Sequence, residues 1–450
     1  MGNRFFWNPA FLVFGLAACG GNTSPAGRSG GLSVAQSAVV REPVGDVAQA
    51  SIAAAVNANN AFALDLYAHV RESAPAGNLL TSPVSASLAL TMTYAGAKGA
   101  TSTQMASALH FGTDSSAILE GQNALSQVLA QDASDALKSD TQSASASGSP
   151  APSPDDYAVQ VVNSVWGQTS YPWAPSFLDV LAKNYGAGIY QEDFASQPDP
   201  ARLAINAWVS DSTANKINDL LPAGSIDPNT RMVLVNAIHL KLPWATAFSK
   251  SNTAPSTFTT GSGGTVNDFA MTQSLETGYA DDGQAQIVSL PLAGHALRVV
   301  IALPHGDLAT YEKGLSVSSM PFQPLGSAQV ALSLPKFAFT SPTFSLTAAL
   351  MAMGMTDAFK PGIADFTGMC AQPPDGRLYV ADVLQKAMIA AQETGIEAAA
   401  ATAVILARHA SISMPVAMVV NRPFLVAIVD ATGAILFLGH IDDPTATGGP

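Results

Sequence analysis

The chain has 450 residues, 48% of them apolar and only 12% charged, with 20 Lys+Arg against 33 Asp+Glu for a net charge of −13. That apolar content supplies ample core and excludes a wholly disordered chain. The acid excess, without a basic run, excludes a surface that neutralises a nucleic-acid backbone and argues against anionic polysaccharide or anionic lipid as partners. Two cysteines cannot make a disulfide framework.

Residues 1–19 read as a secretory signal. Arg4 gives the positive start, and Phe5-Phe6-Trp7 with Phe11-Leu12-Val13-Phe14-Gly15-Leu16 gives an apolar stretch too short to span a bilayer. The ending Leu16-Ala17-Ala18-Cys19 resembles the bacterial lipobox, which implies acylation of Cys19 and a membrane association made only through that lipid. Gly20 after Cys19 lacks the aspartate associated with inner-membrane retention, so the outer membrane is the expected site, with the extracellular space as the alternative. Residues 20–47, rich in Gly, Ser, Ala and Thr, are expected to be a flexible tether. Cys370 then stands alone and is expected to be a buried apolar residue.

Helix signals come first. Phe62, Leu66 and His69/Val70 recur at helical spacing, and Ser82-Pro83 places a capping hydroxyl before a proline, with Val84, Leu88 and Met92 in phase. Thr101-x-x-Gln104 has the form of a capping box. The Pro/Ser-rich stretch 139–156 is expected to be a disordered insertion. Strand signals follow at 231–240, 287–292, 297–303 and 330–334, and 425–429 with 435–438 flank Asp430-Ala431-Thr432-Gly433 as a hairpin. Helices early and strands late predict an α+β fold.

No strong catalytic motif is present: there is no H-E-x-x-H, no G-x-S-x-G, no phosphate-binding loop and no closely spaced Cys/His metal set. No cofactor is expected. The seven histidines are scattered, and the pairs Asp281-Asp282 and Asp442-Asp443 read as solvated turns.

Glu393–Leu406 (ETGIEAAAATAVIL) is of a different kind. Its alanines favour helix, whereas Thr402, Val404 and Ile405 favour strand. Taken as a strand, Ile396, Ala398, Ala400, Thr402, Val404 and Leu406 share one face. Glu397, Ala399, Ala401, Ala403, Ile405 and Ala407 share the other, and the next charge after Glu397 is Arg408. Such a ribbon can lie exposed or slide into a sheet at little desolvation cost, with Gly395 as the expected pivot.

This segment resembles the reactive-loop hinge of inhibitory serpins, and the likeness extends along residues 56–444. Asn78-Leu79-Leu80-Thr81-Ser82-Pro83-Val84-Ser85 and Gly96-Ala97-Lys98-Gly99 are similar to the family's early signature. Ile205-Asn206-Ala207-Trp208-Val209, Lys216-Ile217 and Val233-Leu234-Val235-Asn236-Ala237-Ile238 resemble its central run. Leu334-Pro335-Lys336-Phe337, Ala364-Asp365-Phe366-Thr367-Gly368, Asn421-Arg422-Pro423-Phe424 and Phe437-Leu438-Gly439 continue it. The resemblance implies a serpin domain over 48–446, with helices of the N-terminal half on a large central sheet, two smaller sheets and an exposed reactive-centre loop at 393–415. It also implies a monomer that is not an enzyme but a suicide substrate; some members do not inhibit, so a non-inhibitory serpin that binds or builds at the cell envelope is the alternative. A target protease forms an acyl-enzyme with the loop, and the cleaved loop inserts into the central sheet before water releases it.

Under that resemblance the hinge comprises Glu393, Gly395, Ile396, Glu397, Ala398, Ala399, Ala400, Ala401 and Thr402. The four alanines at 398–401 match inhibitory members. Ile396 stands where Thr or Ser is usual but is apolar and compatible with burial. Ser82, Ser85, Asn206 and Gln385 correspond to a polar cluster where the sheet opens, Gln385 replacing a usual histidine; glutamine both donates and accepts. His440 stands where arginine is usual. The family's common loop length, counted from Gly395, places the reactive bond at His409-Ala410, with Arg408-His409 as the alternative suiting a trypsin-like enzyme and cleavage further up at Leu406 or Ala407 suiting chymotrypsin-, elastase- or subtilisin-like ones. The implied partner is a trypsin-, chymotrypsin- or subtilisin-like serine protease, or a cysteine protease, which also passes through an acyl-enzyme.

Overall fold

A computed structural model describes residues 32–73, 76–112, 115–370, 372, 378–397 and 414–448. Its helices are α1 (Gln49–Ser73), α2 (Pro83–Tyr94), α3 (Gly99–Ala108), α4 (Ser115–Ser147), α5 (Pro175–Tyr185), α6 (Pro198–Ser212), α7 (Leu308–Lys313) and α8 (Thr347–Ala352). Helix α2 is buried on every side from Pro83 to Thr93, as its nearly uninterrupted small and apolar residues require. Proline opens α5 and Gly186, at φ 61°, closes it.

Two helix starts differ from expectation. The Ser82 hydroxyl caps nothing in α2 and donates instead to Leu436 O at 3.0 Å. Thr101 Oγ1 accepts from Asp365 N at 2.9 Å, and Gln104 Oε1 accepts from the N–H groups of Thr356 and Asp357 at 3.0 and 2.8 Å. Both side chains of the expected capping box therefore anchor a distant loop, because α3 starts two residues earlier, at Gly99.

The central sheet has seven strands in the order β1 (Ser33–Ala35), β4 (Ile189–Glu192), β3 (Ala158–Gln168), β5 (Met232–Pro243), β15 (Gly395–Ile396), β14 (Met388–Gln392) and β11 (Phe337–Thr340). A second sheet runs β16 (Val416–Val419), β10 (Ser327–Pro335), β7 (Thr265–Asp281), β8 (Ala285–Pro291), β9 (Leu297–Pro304), β17 (Phe424–Asp430), β18 (Ile435–Ile441) and β2 (Leu79–Thr81), with β6 (Thr253–Thr259) also on β7. The long strand β7 joins what would otherwise be two sheets, since β6 and β10 pair with one part of it and β8 with the other. A two-stranded ribbon of β12 (Phe344–Ser345) and β13 (Leu384–Gln385) completes the set. The strands expected from the apolar runs are β5, β8, β9 and β10, and the expected hairpin is β17–β18.

Two segments expected to lack structure are built into the fold. Within the expected tether, β1 pairs antiparallel with β4, and Arg41 Nε donates to Asn123 Oδ1 at 2.9 Å. An otherwise open sheet edge and a polar helix face supply the partners that composition could not reveal. Helix α4 runs through the first half of 139–156, holding Ala136 and Ala144 buried, before a short 3-10 turn at Pro154–Asp156 returns the chain to β3. Its alanines are strong helix formers once one face has something to cover.

Asp281 ends β7 and Asp282 opens the turn to β8, where Asp282 Oδ1 accepts from Gln284 N and Ala285 N at 2.8 Å each. Asp443 Oδ1 likewise accepts from Thr445 N at 2.8 Å. Cys370 is buried in the same apolar cluster as Phe366 and Met369. His440 joins β18 to α7 and α1: its Nδ1 lies 2.7 Å from Glu312 Oε1 and its Nε2 2.9 Å from Gly77 O, while Arg71 donates to Glu312 Oε2 at 3.0 Å. Burial alone would depress the imidazole, but Glu312 and the Gly77 carbonyl raise it above its ordinary value. With an acceptor at each ring nitrogen, the doubly protonated form fits.

The hairpin turn is organised by Asp430, whose Oδ1 accepts from the N–H groups of Thr432 and Ala434 at 2.9 and 2.8 Å. Its Oδ2 and that of Asp132 on α4 are buried with no hydrogen-bond partner among the described residues. Burial, and then the charges of Asp430 and Asp135, push the Asp132 carboxyl up to about 6. The folded protein thus holds this proton more tightly than the unfolded chain, so this carboxyl's destabilisation is greatest above about pH 6 and vanishes as pH falls through the ordinary aspartate range. Asp132→Asn is therefore expected to stabilise the fold by about 1–2 kcal/mol at about pH 7.5, allowing for partial exposure, and by almost nothing at about pH 4. Denaturant titrations at the two pH values check this.

Candidate functional site

The functional geometry lies between β5 and β14. At one end they are separated by β15, antiparallel to both: Gly395 pairs with Pro243 and Gln392, and Ile396 with Leu242 and Ala391. Glu397 N donates to Ala390 O at 2.8 Å, one rung further. Below that point β5 meets the β13–β14 segment directly through the parallel bridges Ala237↔Lys386 and Leu234↔Val383. The sheet is thus a slot, filled for two residues and closed beyond.

This placement corrects the expectation of a hinge exposed along its whole length. Ile396 is 1% exposed and joins the apolar cluster of Leu242, Ile389 and Ala391 between the two large sheets. An alternating ribbon permits this, because Ile396 faces that cluster while Glu397 faces the α6 side, where β5 presents His239.

Gly395 has φ 159° and lies tight against β5. A Cβ there would lie 2.3 Å from Leu242 O and 2.5 Å from Pro243 Cα, so glycine is required by the close approach of β5. Two residues on, the backbone also turns at Glu397, whose φ of 51° is left-handed, a conformation that costs a non-glycine residue about 1–2 kcal/mol.

Polar contacts fix both ends of β15. Before it, Glu393 pairs with Lys336 Nζ at 3.0 Å and accepts from Thr253 Oγ1 at 2.9 Å. Burial pushes the Glu393 carboxyl up, but hydrogen bonds from its own backbone, Lys336 and Thr253 hold it below its ordinary value. Trp244 Nε1 donates to Gln392 O at 2.7 Å, and its backbone N to Thr394 O at 3.0 Å. After β15, Glu397 meets His239 Nε2 at 2.7 Å and Lys216 Nζ at 2.6 Å. Burial raises this carboxyl too, but His239 and Lys216 outweigh it and hold it low.

Where the slot closes, Gln385 Nε2 donates to Ser82 O at 2.9 Å and Asn236 Oδ1 at 3.1 Å, while its Oε1 accepts from Ser82 N at 3.0 Å. Ser85 Oγ donates to Asn163 Oδ1 at 3.0 Å, which links α2 to β3. Glutamine's dual character is used in full. Ser82, Ser85 and Gln385 are therefore brought together as expected, but Asn206 is not. It lies on α6 and pins the following connector, donating to Leu221 O at 2.9 Å and accepting from Leu221 N at 2.8 Å. The cluster's asparagines are Asn163 and Asn236. Each interrupts an apolar strand run, a signal that could have found them. Ala398, Ala399, Ala400, Ala401 and Thr402 lie outside the described residues, as do Arg408, His409, Ala410 and Cys19.

A two-layered slot with a partly entered strand at its mouth defines a class, and comparisons with known proteins agree. Residues 57–444 match the family model described as Serpin (serine protease inhibitor). The chain is 31% identical over 401 residues to the leukocyte elastase inhibitor of Homo sapiens, covering 86% of this chain and 99% of that one. It is also 31% identical over 399 residues to an uncharacterized serpin-like protein of Methanosarcina acetivorans, covering 87% and 88%. Among solved structures, the thermophilic serpin tengpin in its native state aligns with a TM-score of 0.75 at 26% identity, over 92% of this chain and 100% of that one. Human thyroxine-binding globulin aligns with a TM-score of 0.72 at 26% identity, over 88% and 100%. The chain belongs to the serpin family.

Proposed function

We propose that this protein is a suicide-substrate inhibitor of serine proteases that traps the acyl-enzyme by inserting its cleaved reactive loop between β5 and β14. The observation that carries this reading is the occupied mouth of the slot: Gly395 and Ile396 already make strand pairing on both sides, so the sheet accepts this ribbon in the register that full insertion needs. The bland alternation of residues 396–407 supports it, since every further inward position is apolar or threonine. The inhibitory name of the leukocyte elastase inhibitor supports it as well.

The targets we infer are serine proteases: a trypsin-like enzyme through cleavage at Arg408-His409, or chymotrypsin- or subtilisin-like enzymes through cleavage further up the loop at Leu406 or Ala407, with His409-Ala410 as the bond that the family's common loop length gives. The lipobox-like ending at Cys19 supports an exported protein held at the cell envelope by its acylated N-terminus, a reading that mass spectrometry of the mature N-terminal peptide tests. Incubating the purified domain with trypsin, chymotrypsin, elastase and subtilisin should give an SDS-resistant adduct with at least one of them. Loop cleavage with every protease left active would instead favour a binding protein without inhibitory activity.

A further inference from the structure

The contacts of Glu397 reach beyond the sheet. Lys216 lies on the connector that follows α6, and this connector crosses the slot. Lys216 Nζ meets Glu397 Oε1 at 2.6 Å, and two residues on, Asn218 O accepts from Lys386 Nζ at 3.0 Å. One short stretch therefore holds both the entered hinge and, through Lys386, the bridge at which the sheet closes. The connector is itself strained: Ala214, Asn215 and Asp219 have φ of 49°, 61° and 52°, left-handed in each case. Asn206 fixes its far end at Leu221. The second partner of Glu397, His239, is 5% exposed and belongs to β5, the strand beside which the loop would extend.

We propose that Lys216 and His239 are positioning residues for insertion: by holding Glu397 they keep β15 seated, so that strand growth after cleavage starts from a formed nucleus. This inference rests on the inhibitory reading. Three features favour a nucleus over a brake. The Glu397 side chain already lies on the α6 face that alternation assigns to it in a continued strand, so neither partner need be released as the strand lengthens. Its N–H is already bonded to β14. Extending the strand rotates φ here from left-handed to extended, which relieves strain rather than adding it. Without the ion pair, the hinge would spend part of its time outside the slot, and each departure would require the first rungs to be made anew. Insertion competes with hydrolysis of the acyl-enzyme, so that delay would appear as more inhibitor cleaved per protease trapped.

The test uses Lys216→Ala, Lys216→Arg and His239→Gln with a protease that forms an adduct with the unmodified protein. Lys216 is about half exposed and outside the core, so its variants should fold with a melting temperature near that of the parent. Lys216→Ala is expected to raise the stoichiometry of inhibition about fivefold, the scale of a half-exposed ion pair. His239→Gln should act in the same direction, and Lys216→Arg should restore the parent value. The emission of Trp244, which is bonded to Gln392 and Thr394, should shift in the alanine variant, reporting the loosened hinge independently of any protease. If Lys216→Ala does not fold, Glu397→Gln removes the same charge pair and gives the same reading. A normal adduct with unchanged stoichiometry in both Lys216→Ala and His239→Gln would overturn the positioning role while leaving inhibition intact. A lower stoichiometry would show a brake and overturn it equally. No adduct with the parent protein would instead sink the inhibitory reading itself.

Discussion

Ile396→Arg is expected to convert the protein from an inhibitor into a substrate: the SDS-resistant adduct disappears and cleaved chain accumulates beside active protease. Ile396 is already seated between Leu242 and Ala391, in the apolar layer between the two large sheets. Its burial contributes roughly 1.5–3 kcal/mol. The adjacent carboxylate, Glu397, faces the opposite surface, and the effective cost of burying an unpaired charge is still several kcal/mol. Together these exceed what the two rungs of β15 can offset, so the arginine hinge leaves the slot. A shift of about 1.4 kcal/mol in the race between insertion and hydrolysis already changes the outcome tenfold, so a penalty of several kcal/mol removes trapping altogether. The intact variant should still fold, because an expelled hinge exposes its arginine to water. Ile396→Thr should keep the adduct, as a hydroxyl that finds a backbone partner is tolerated where a charge is not. Stoichiometry and melting temperature, measured together, separate lost trapping from lost folding. An undiminished adduct with Ile396→Arg would mean that this residue does not enter the sheet during inhibition.

Cleavage of the reactive loop is expected to raise the melting temperature by roughly 20 °C. To insert, the loop must break the bridges Ala237↔Lys386 and Leu234↔Val383 and part the Gln385, Ser82 and Asn236 contacts. These are few beside what is gained. About ten further residues would make ladder bonds along β5 and β14, each contributing roughly 0.5–1.5 kcal/mol, for a sum on the order of 10 kcal/mol. At about 2 °C per kcal/mol for a domain of this size, that sum gives the expected shift. Calorimetry of intact and nicked protein measures it, and N-terminal sequencing of the released fragment decides between His409-Ala410 and Arg408-His409. Identical melting of the two forms would refute any stored energy in the sheet.

The elements that the sequence announced are those whose signal is local. The apolar spacing through Phe62 and Leu66 became α1, the proline after Ser82 opened α2, and the apolar runs became β5, β8, β9 and β10. Period-two alternation likewise put Ile396 and Glu397 on opposite faces, as the slot confirms. Misread features share one cause. Ser82, Thr101 and Gln104 looked like caps because capping is the nearest use for such side chains, yet all three bond to residues over two hundred positions away. The stretch around Ser33 looked like tether because its partner, Gln191 of β4, lies 158 positions on.

By itself, then, the sequence determined what the ribbon is: uncharged for ten residues after Glu397 and indifferent to exposure or burial. It also determined the family, through motifs distributed along nearly the whole chain. Only the tertiary structure decided where the ribbon stops. That point depends on the pairing of Ile396 across two strands, on a carboxylate meeting His239 and Lys216 from 158 and 181 positions earlier, and on the left-handed turn at Glu397. Alternation is a property of neighbours in the chain, whereas the resting depth of a strand is set by groups that only folding brings beside it.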